Sequence, residues 1–361
     1  MTSTSQGTPT PDNPLFNSSS HGRSNGDISS APDIPPLKLI QQGELATLDI
    51  PAREKLIGDW FPERHPCLVY AQTGRGKSLF AMTLGIAVAG GGTAFGWKAH
   101  APCSVLYVDA EMDVADIKER NELLVPTVEG VDLAELGENL HILSRHHQST
   151  LTPFPDIAEE AGRAALMKLV AEKKPRLVIL DNLSTLADIK DENDAAAFNP
   201  IIRTLTELRQ AGCAVILVHH TGKQEGKFRG SSKLGAIFES IIQLAPNRDL
   251  VKGDTGFSMR VDKFRGANAP APLDVQLIID PETGLASWQH EGSQERKLLE
   301  LVKAVRSREF GTQAELADEL DLSAGEVSKR KHRAIGHGMI SGEEWERCFQ
   351  EARDLKKAIE D

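Results

Sequence analysis

Residues 71–78 constrain the fold of this chain more than any other segment. They read Ala-Gln-Thr-Gly-Arg-Gly-Lys-Ser. The apolar run 67–70 precedes them, and apolar residues at helical spacing follow over 78–88. A glycine-rich turn between a strand and a helix points backbone N–H groups at an anion. The spacing therefore predicts a Walker A phosphate loop inside an α/β fold, rather than a chance glycine-rich turn.

This motif assigns specific roles within the loop. Lys77 should reach the β- and γ-phosphate oxygens, and the Ser78 hydroxyl should ligate Mg²⁺. The residues predicted to hold ATP are Gln72, Thr73, Gly74, Arg75, Gly76, Lys77, Ser78 and Leu79. Ala71 stands where the pattern has its first glycine, and its methyl group is tolerable only if φ is negative there.

Composition sets broad limits on the class of protein. The chain has 361 residues, of which 40% are hydrophobic and 26% charged, so two globular domains with a tail are expected. We expect no membrane span and no secretory signal, because long apolar runs are missing. Its cysteines form no CxxC pair and are predicted to be reduced thiols in the cytoplasm. The net charge of −11 gives no overall basic field for nucleic acid, so DNA binding would need a local basic surface or a ring-shaped channel.

The chain is predicted to divide into a disordered tail over 1–36, an α/β domain over 37–290 and a helical domain over 294–361. In the α/β domain, strands are predicted over 67–70, 104–109, 141–143, 176–181 and 213–218, and helices over 114–124, 156–172 and 195–210. Uninterrupted apolar strands that alternate with helices are typical of a parallel sheet covered on both faces. Strands over 240–244, 257–261 and 275–279 are expected to be antiparallel.

The last part of the chain predicts a small helical domain after a linker at Gly292 and Ser293. Helices are predicted over 297–307, 312–320 and 324–335. The segment 319–327 is similar to a helix-turn-helix corner, with Ser323 as an N-cap, so we expect a winged-helix or helix-turn-helix type of domain.

Two strand ends beyond the loop carry carboxylates. Asp181 ends one apolar strand, and Glu111 follows another. The carboxyl ends of parallel strands are where α/β sheets bind ligands. We predict that Asp181 holds Mg²⁺ together with Ser78, although an aspartate there could also cap a helix. Glu111 could polarise the water that attacks the γ-phosphate, and Asp109, on the same strand face, is a competing candidate.

His219 and His220 end a further strand. One imidazole could sense the γ-phosphate, but a shared metal is disfavoured because adjacent strand residues point to opposite faces. Alternatively, and with equal weight, one of these histidines is a buried core residue and the other a surface residue. The loop 221–230 could touch a nucleic-acid backbone or be a solvated loop. Arg229, Lys263 and Arg265 are candidate cations for the charge of the transition state, with surface salt bridges as the alternative.

In combination, these segments resemble the RepA-like branch of the RecA/DnaB hexameric ATPases, a group of plasmid and phage replicative helicases. The resemblance covers roughly residues 44–285 and rests on the order of 48–54, 71–78, 109–112, 180–184, 191–194, 218–223 and 229–232. It implies a RecA-like P-loop ATPase core, a homo-hexameric ring and ATP sites between neighbouring subunits.

The same resemblance implies roles for single residues. Glu111 becomes the catalytic base in preference to Asp109, and His220 the γ-phosphate sensor. Arg229 becomes the arginine finger that reaches the next subunit's site. Lys263 and Arg265 resemble the Lys-x-Arg finger of DnaB- and KaiC-like rings, so the identity of the trans cation stays open.

Residues 329–333 read Lys-Arg-Lys-His-Arg on the presumed recognition helix. They could contact phosphates or dock in a major groove, or they could be the solvated face of a helical lid. The sequence thus predicts an ATP- and Mg²⁺-dependent helicase that moves on single-stranded DNA. The alternatives are an ATP-gated DNA-binding regulator or recombination accessory ATPase without unwinding, and a KaiC-type switch that the acidic net charge favours.

Overall fold

The computed structural model describes residues 37–189, 194–220, 232–247, 255–336 and 338–360. The predicted tail, part of the acidic segment 191–194 and the loop that carries Arg229 lie outside these residues. The chain forms two compact units, 1–51 and 52–361. In the first unit, one short helix is described, α1 (Gln42–Thr47), and none of its residues is buried. None of the helices in the described ranges combines the length and the apolar character that a membrane crossing requires.

The second unit contains the remaining elements. In chain order they are β1 (Lys55–Ile57), β2 (Phe61–Pro62), β3 (Pro66–Ala71), α2 (Lys77–Gly90), β4 (Thr93–Ala94), β5 (Trp97–Lys98), β6 (Val105–Asp109), α3 (Val114–Leu124), α4 (Leu133–Asn139), β7 (Leu140–Ser144), α5 (Glu160–Lys173), β8 (Leu177–Asp181), α6 (Leu183–Leu186), α7 (Asn199–Gln210), β9 (Ala214–His220), α8 (Ser232–Ile237), β10 (Ser240–Ala245), β11 (Thr255–Phe264), β12 (Leu273–Ile279), β13 (Ala286–Gly292), α9 (Ser293–Ser307), α10 (Gln313–Glu319), α11 (Ala324–Gly336) and α12 (Gly342–Glu360).

A nine-stranded sheet organises this unit, in the order β13-β12-β11-β10-β3-β9-β8-β6-β7. The six strands from β10 to β7 are parallel to their neighbours, and β11, β12 and β13 continue the sheet in antiparallel pairing. The central strands are buried along their whole length, as expected for strands covered on both faces. The mixed α/β class predicted from the sequence is confirmed.

The strand register brings the chemically interesting residues to one edge. Ala71 pairs with His220, and Asp109 pairs with Asp181. Each of these four residues is the last of its strand, so their carboxyl ends meet at the same edge. We call this the carboxyl edge of the sheet, and the opposite one the amino edge.

Apolar side chains cover the sheet on both faces. On one face, α2 packs against alternate residues of the central strands, and twelve of its fourteen residues are buried. The other face carries α5, α6 and α7 over a second apolar cluster. Gly85 allows α2 to approach the sheet closely, because a Cβ there would meet Ile179 Cδ1 at 3.0 Å. The prediction of helices on both faces is therefore confirmed.

Some predicted elements differ in the structure. The helix expected over 195–210 begins only at Asn199, because Pro200 has no N–H to donate and fits the first turn of a helix. The helix expected over 156–172 begins at Glu160, since the Asp156 carboxylate accepts from Ala158 N in a preceding turn. The strand expected to be antiparallel over 240–244 is antiparallel only to β11 and pairs in parallel with β3.

The last four helices have an apolar core of their own, centred on the fully buried Trp345. The predicted N-cap is confirmed, since Ser323 Oγ accepts from Glu326 N at 3.2 Å. The predicted linker is not observed, because α9 begins directly after β13. Within the described residues after 293 there are helices but no strand, so a winged-helix assignment is not confirmed. The sequence analysis missed α12, although its buried residues follow i, i+3, i+4, i+7 spacing from Trp345 to Ala352.

Candidate nucleotide-binding site

The loop between β3 and α2 has the backbone of an anion cradle. Gly74 and Gly76 adopt left-handed φ values of 76° and 74°, which disfavour a side chain. A Cβ at Gly76 would also meet Phe257 Cδ1 at 3.0 Å. Ala71 is the last residue of β3 and its φ is not positive, so the methyl group in place of the usual glycine causes no strain.

Lys77 is almost completely buried at the start of α2. Its Nζ donates to the carbonyl oxygens of Gln72, at 2.8 Å, and Ala71, at 3.2 Å. Burial lowers the pKa of Lys77 to about 8, while the nearby carboxylates of Asp181 and Glu111 act in the opposite direction. This ammonium group therefore lies inside the loop, beside the acidic residues of the carboxyl edge.

Asp181 is buried beside the loop. The Tyr107 hydroxyl donates to Asp181 Oδ2 at 2.6 Å, and the Ser78 hydroxyl is also bonded to this carboxylate. Burial raises the pKa of Asp181 to about 6, and these two hydrogen bonds partly offset the effect. A hydroxyl and a carboxylate at the phosphate loop are the oxygen ligands that suit Mg²⁺, which usually keeps several waters. In the described ranges no cluster of three or more metal-binding side chains competes with this pair.

The structure separates the two acids that the residue pattern could not. Asp109 is buried, and its Oδ1 accepts from the backbone N–H groups of Glu111, at 2.9 Å, and Met112, at 2.8 Å, so it shapes the turn after β6. Glu111 instead holds its carboxylate at the edge, with 58% of the side chain exposed. Asn182 Nδ2 donates to Glu111 Oε2. Of the two acids, Glu111 is the one that a water molecule can reach.

The two histidines at the end of β9 have different surroundings. His219 is buried in the sheet, whereas His220 lies between the loop and Glu111. Its Nδ1 is 3.5 Å from Thr73 Oγ1, and its Nε2 is 4.0 Å from Glu111 Oε2. Burial, and then the charge of Lys77, lower the pKa of His220, so the ring is neutral at pH 7.

The remaining predicted cations lie elsewhere. In the register of β11, Phe264 pairs with Ser240, which itself pairs with Cys67 near the start of β3. Phe264 therefore lies at the amino edge, roughly 13 Å along the strands from the loop at about 3.3 Å per residue, and Lys263 and Arg265 flank it. Neither can contact a nucleotide in its own subunit's loop. Arg229 lies outside the described residues.

Sequence reasoning missed two residues of the site, Tyr107 and Asn182. Tyr107 precedes Asp109 by two positions on β6, so strand alternation could have placed it on the same face. Asn182 directly follows Asp181 and lies in the segment 180–184, which entered the sequence analysis only as part of the family resemblance. No local pattern marks Asn182 as a neighbour of Glu111, because the two belong to different strand ends.

The strand, loop and helix, together with Lys77 and Asp181, define the class as a P-loop ATPase. A family model described as an AAA domain matches residues 32–226, a little over half of the chain. The chain belongs to this AAA domain family. A solved structure of a KaiC-like protein from the hyperthermophilic archaeon Pyrococcus horikoshii OT3 is similar at 16% identity, covering 66% of this chain and 96% of that one, with a TM-score of 0.46. No curated protein matches the sequence.

Proposed function

We propose that this protein is an ATP-dependent DNA helicase of RepA type that unwinds DNA during replication of a plasmid, phage or mobile element. It works as a homo-hexameric ring and hydrolyses ATP at the interfaces between subunits. The observation that carries the proposal is the division of charge in the fold. The phosphate loop and its acids lie at the carboxyl edge, whereas Lys263 and Arg265 lie at the amino edge.

This division supports a site shared between subunits. In-line transfer of a phosphoryl group develops negative charge that Lys77 alone balances only in part. A cation that points away from its own nucleotide can still serve the site of a neighbouring copy. Arg229 remains a proposed finger on the strength of the resemblance, and Arg265 is the alternative within the described residues.

Of the two cations at the amino edge, Arg265 is the better placed for this role. Lys263 Nζ already donates to the carbonyl oxygens of Gly235, at 2.8 Å, and Ala236, at 3.3 Å, near the end of α8. The Arg265 side chain is exposed, and its backbone N–H donates to Glu239 O at 2.7 Å. Lys263 therefore anchors α8, while Arg265 is available to a partner subunit.

The residues of the carboxyl edge then divide the chemical work. Glu111 accepts a proton from the water that attacks the γ-phosphate, and Lys77 and the loop amides neutralise the phosphate oxygens. Ser78 and Asp181 would hold Mg²⁺, which, when bound, neutralises charge on the β- and γ-phosphates. Neutral His220 lies between Thr73 and Glu111, where it can respond to the γ-phosphate.

The C-terminal helices give the proposal limited support. On α11, Arg330 pairs with Glu326 at 3.0 Å, and Lys331 pairs with Glu346 at 2.8 Å and lies over the Trp345 ring. Arg330 and Lys331 are thus already engaged with other residues of this helical region. We therefore place the main DNA contact in the channel of the ring rather than on α11.

A forked DNA substrate tests the function. ATP-dependent strand displacement that disappears in Lys77→Ala is the expected result. ATP-dependent DNA binding without displacement would identify a regulator instead. ATPase turnover that does not respond to single-stranded DNA would contradict both. Particle images with ATP and Mg²⁺ should show six-membered rings.

Mixing experiments test the shared site. Arg229→Ala and Arg265→Ala should each be compared with Arg260→Ala, an exposed arginine on the same strand as Lys263. The variant that lacks the finger should bind ATP and lose turnover. Mixing it with Lys77→Ala subunits should restore part of the activity, because an interface with the loop of the finger variant and the finger of the Lys77 variant is complete. No restoration with either variant would argue against a finger acting in trans.

A further inference from the structure

The base in this site has only one firm side-chain partner among the described residues. Asn182 Nδ2 donates to Glu111 Oε2, whereas His220 Nε2 is 4.0 Å from that carboxylate and Lys77 Nζ donates to the carbonyl oxygens of Ala71 and Gln72. With 58% of its side chain exposed, Glu111 is packed too little to be held in one rotamer by burial. The hydrogen bond from Asn182 is therefore the main restraint on the carboxylate.

Asn182 is well suited to act as an anchor. It is 2% exposed, directly after Asp181, and its backbone is tied into the first turn of α6. Its carbonyl oxygen accepts from Thr185 N at 3.1 Å, Leu186 N at 3.0 Å and Thr185 Oγ1 at 3.0 Å. A residue fixed by three such bonds can impose its own position on a more mobile neighbour.

The chemistry also fixes the orientation of the amide. An ionised carboxylate only accepts hydrogen bonds, so the nitrogen of the Asn182 amide must face Glu111. That bond occupies Oε2, the oxygen nearer His220, and leaves Oε1 to receive a proton. A general base must lie within hydrogen-bond reach of the proton it takes, so its orientation affects turnover more than binding.

We propose that Asn182 is a positioning residue that holds Glu111 in the orientation needed to accept a proton from the attacking water. Two consecutive residues then have different roles in one reaction. Asp181 would ligate the metal, and Asn182 orients the base. The proposal rests on the proposed ATPase function and on the role of Glu111 as the base.

The test measures ATP turnover and ATP binding by the full-length protein. Asn182→Ala should lower kcat by about 10- to 100-fold, while KM and the affinity for a fluorescent ATP analogue change less than about threefold. Asn139→Ala is the matched control, because Asn139 Nδ2 donates to Glu135 Oε2 at 3.0 Å in the same way but far from the loop. It should keep wild-type turnover.

Asn182→Asp separates positioning from packing. Aspartate has nearly the same size and begins helices equally well, but in its ionised form it cannot donate to Glu111 and repels the Glu111 carboxylate. It should lose as much turnover as Asn182→Ala. Near wild-type turnover in Asn182→Asp would show that shape alone matters and would overturn the proposal.

A double-mutant cycle with Glu111→Gln completes the test. If Asn182 acts through Glu111, adding Asn182→Ala to Glu111→Gln should cost no further turnover. Losses that multiply would overturn the proposal and leave the role of Glu111 intact. Wild-type turnover in Glu111→Gln alone would instead remove the base from the proposed function, and the role of Asn182 with it.

Discussion

The two edges of the sheet use the same kinds of charged residue in opposite ways. At the amino edge, Glu239 accepts from Arg53, at 2.9 Å, and from Arg209, and His65 Nδ1 lies 3.2 Å from the same carboxylate. At the carboxyl edge, the carboxylates of Asp181 and Glu111 lie near the buried ammonium group of Lys77. In the first arrangement two arginines of the same chain pair with one buried carboxylate, whereas in the second two carboxylates share one ammonium group.

The pKa values express this difference. At the carboxyl edge, burial raises the pKa of Asp181 to about 6 and lowers that of Lys77 to about 8. Burial therefore disfavours the charged form of both groups. Such perturbed groups mark sites that a ligand completes. At the amino edge, the burial of His65 lowers its pKa to about 4, which keeps the ring neutral beside Glu239. We therefore expect substitutions of the carboxyl-edge residues to change turnover, and substitutions of His65 and Glu239 at the amino edge to change stability.

The largest effect is expected from Lys77→Ala. Removing the cation of the loop should lower kcat/KM for ATP by at least about 10²- to 10³-fold, since no other described side chain can replace it inside the loop. Thermal unfolding should hardly change. Lys118→Ala, which removes an exposed lysine paired with Glu122 at 3.6 Å, is the control. A Lys77 variant that hydrolyses ATP at the wild-type rate would contradict the assignment of the site.

The next effect is a pH dependence of stability at the amino edge. In the unfolded chain His65 binds a proton at the ordinary histidine pKa of 6.5, but in the folded protein it does so only near pH 4. The folded state therefore loses stability as the pH falls through this window, by about 3 kcal/mol for a fully buried ring. Urea unfolding at several pH values should show a shallower loss in His65→Gln. Equal slopes in wild type and variant would contradict the prediction, and the exposed His100→Gln should keep the wild-type slope.

Glu239→Gln should weaken the amino edge without affecting catalysis. It leaves two arginines without their carboxylate, and because both are partly exposed we expect a loss of about 2 kcal/mol in the free energy of unfolding. Turnover below the unfolding temperature should stay within about threefold. Glu122→Gln, from an exposed pair, should change stability by less than about 0.5 kcal/mol. A large fall in turnover would show that Glu239 also contributes to catalysis.

Tyr107→Phe should give the smallest effect, an increase of about tenfold in the Mg²⁺ concentration needed for half-maximal ATPase activity. The tyrosine hydroxyl orients the Asp181 carboxylate and favours its charged form, so its removal weakens the metal site. The chain provides a matched control in Tyr70→Phe, since Tyr70 directly precedes the loop and donates in the same way, but to Asp262 instead of Asp181. A shift of equal size in both variants would show a general effect on the sheet.

Local patterns in the sequence were sufficient to predict the buried central strands and the phosphate loop. The apolar strands, the glycine spacing and the helical periodicity of α2 each depend on neighbouring residues, so they could be predicted. The start of α7 and the existence of α12 were missed, although Pro200 and the buried positions around Trp345 carried usable signals. The pairing of β10 with β3 could not be predicted, since it depends on distant strands.

The sequence by itself determined that this chain has a phosphate loop, a carboxylate at each of two strand ends and a set of cations after them, because each is a short motif with local geometry. Only the tertiary structure decided which of these residues meet. Strand register places Lys77, Asp181, Glu111 and His220 at the carboxyl edge. It places Lys263 and Arg265 at the amino edge. It also placed Asn182 against Glu111, a contact between residues 71 positions apart. The RepA-like assignment and the ring stay predictions, since they depend on neighbouring subunits.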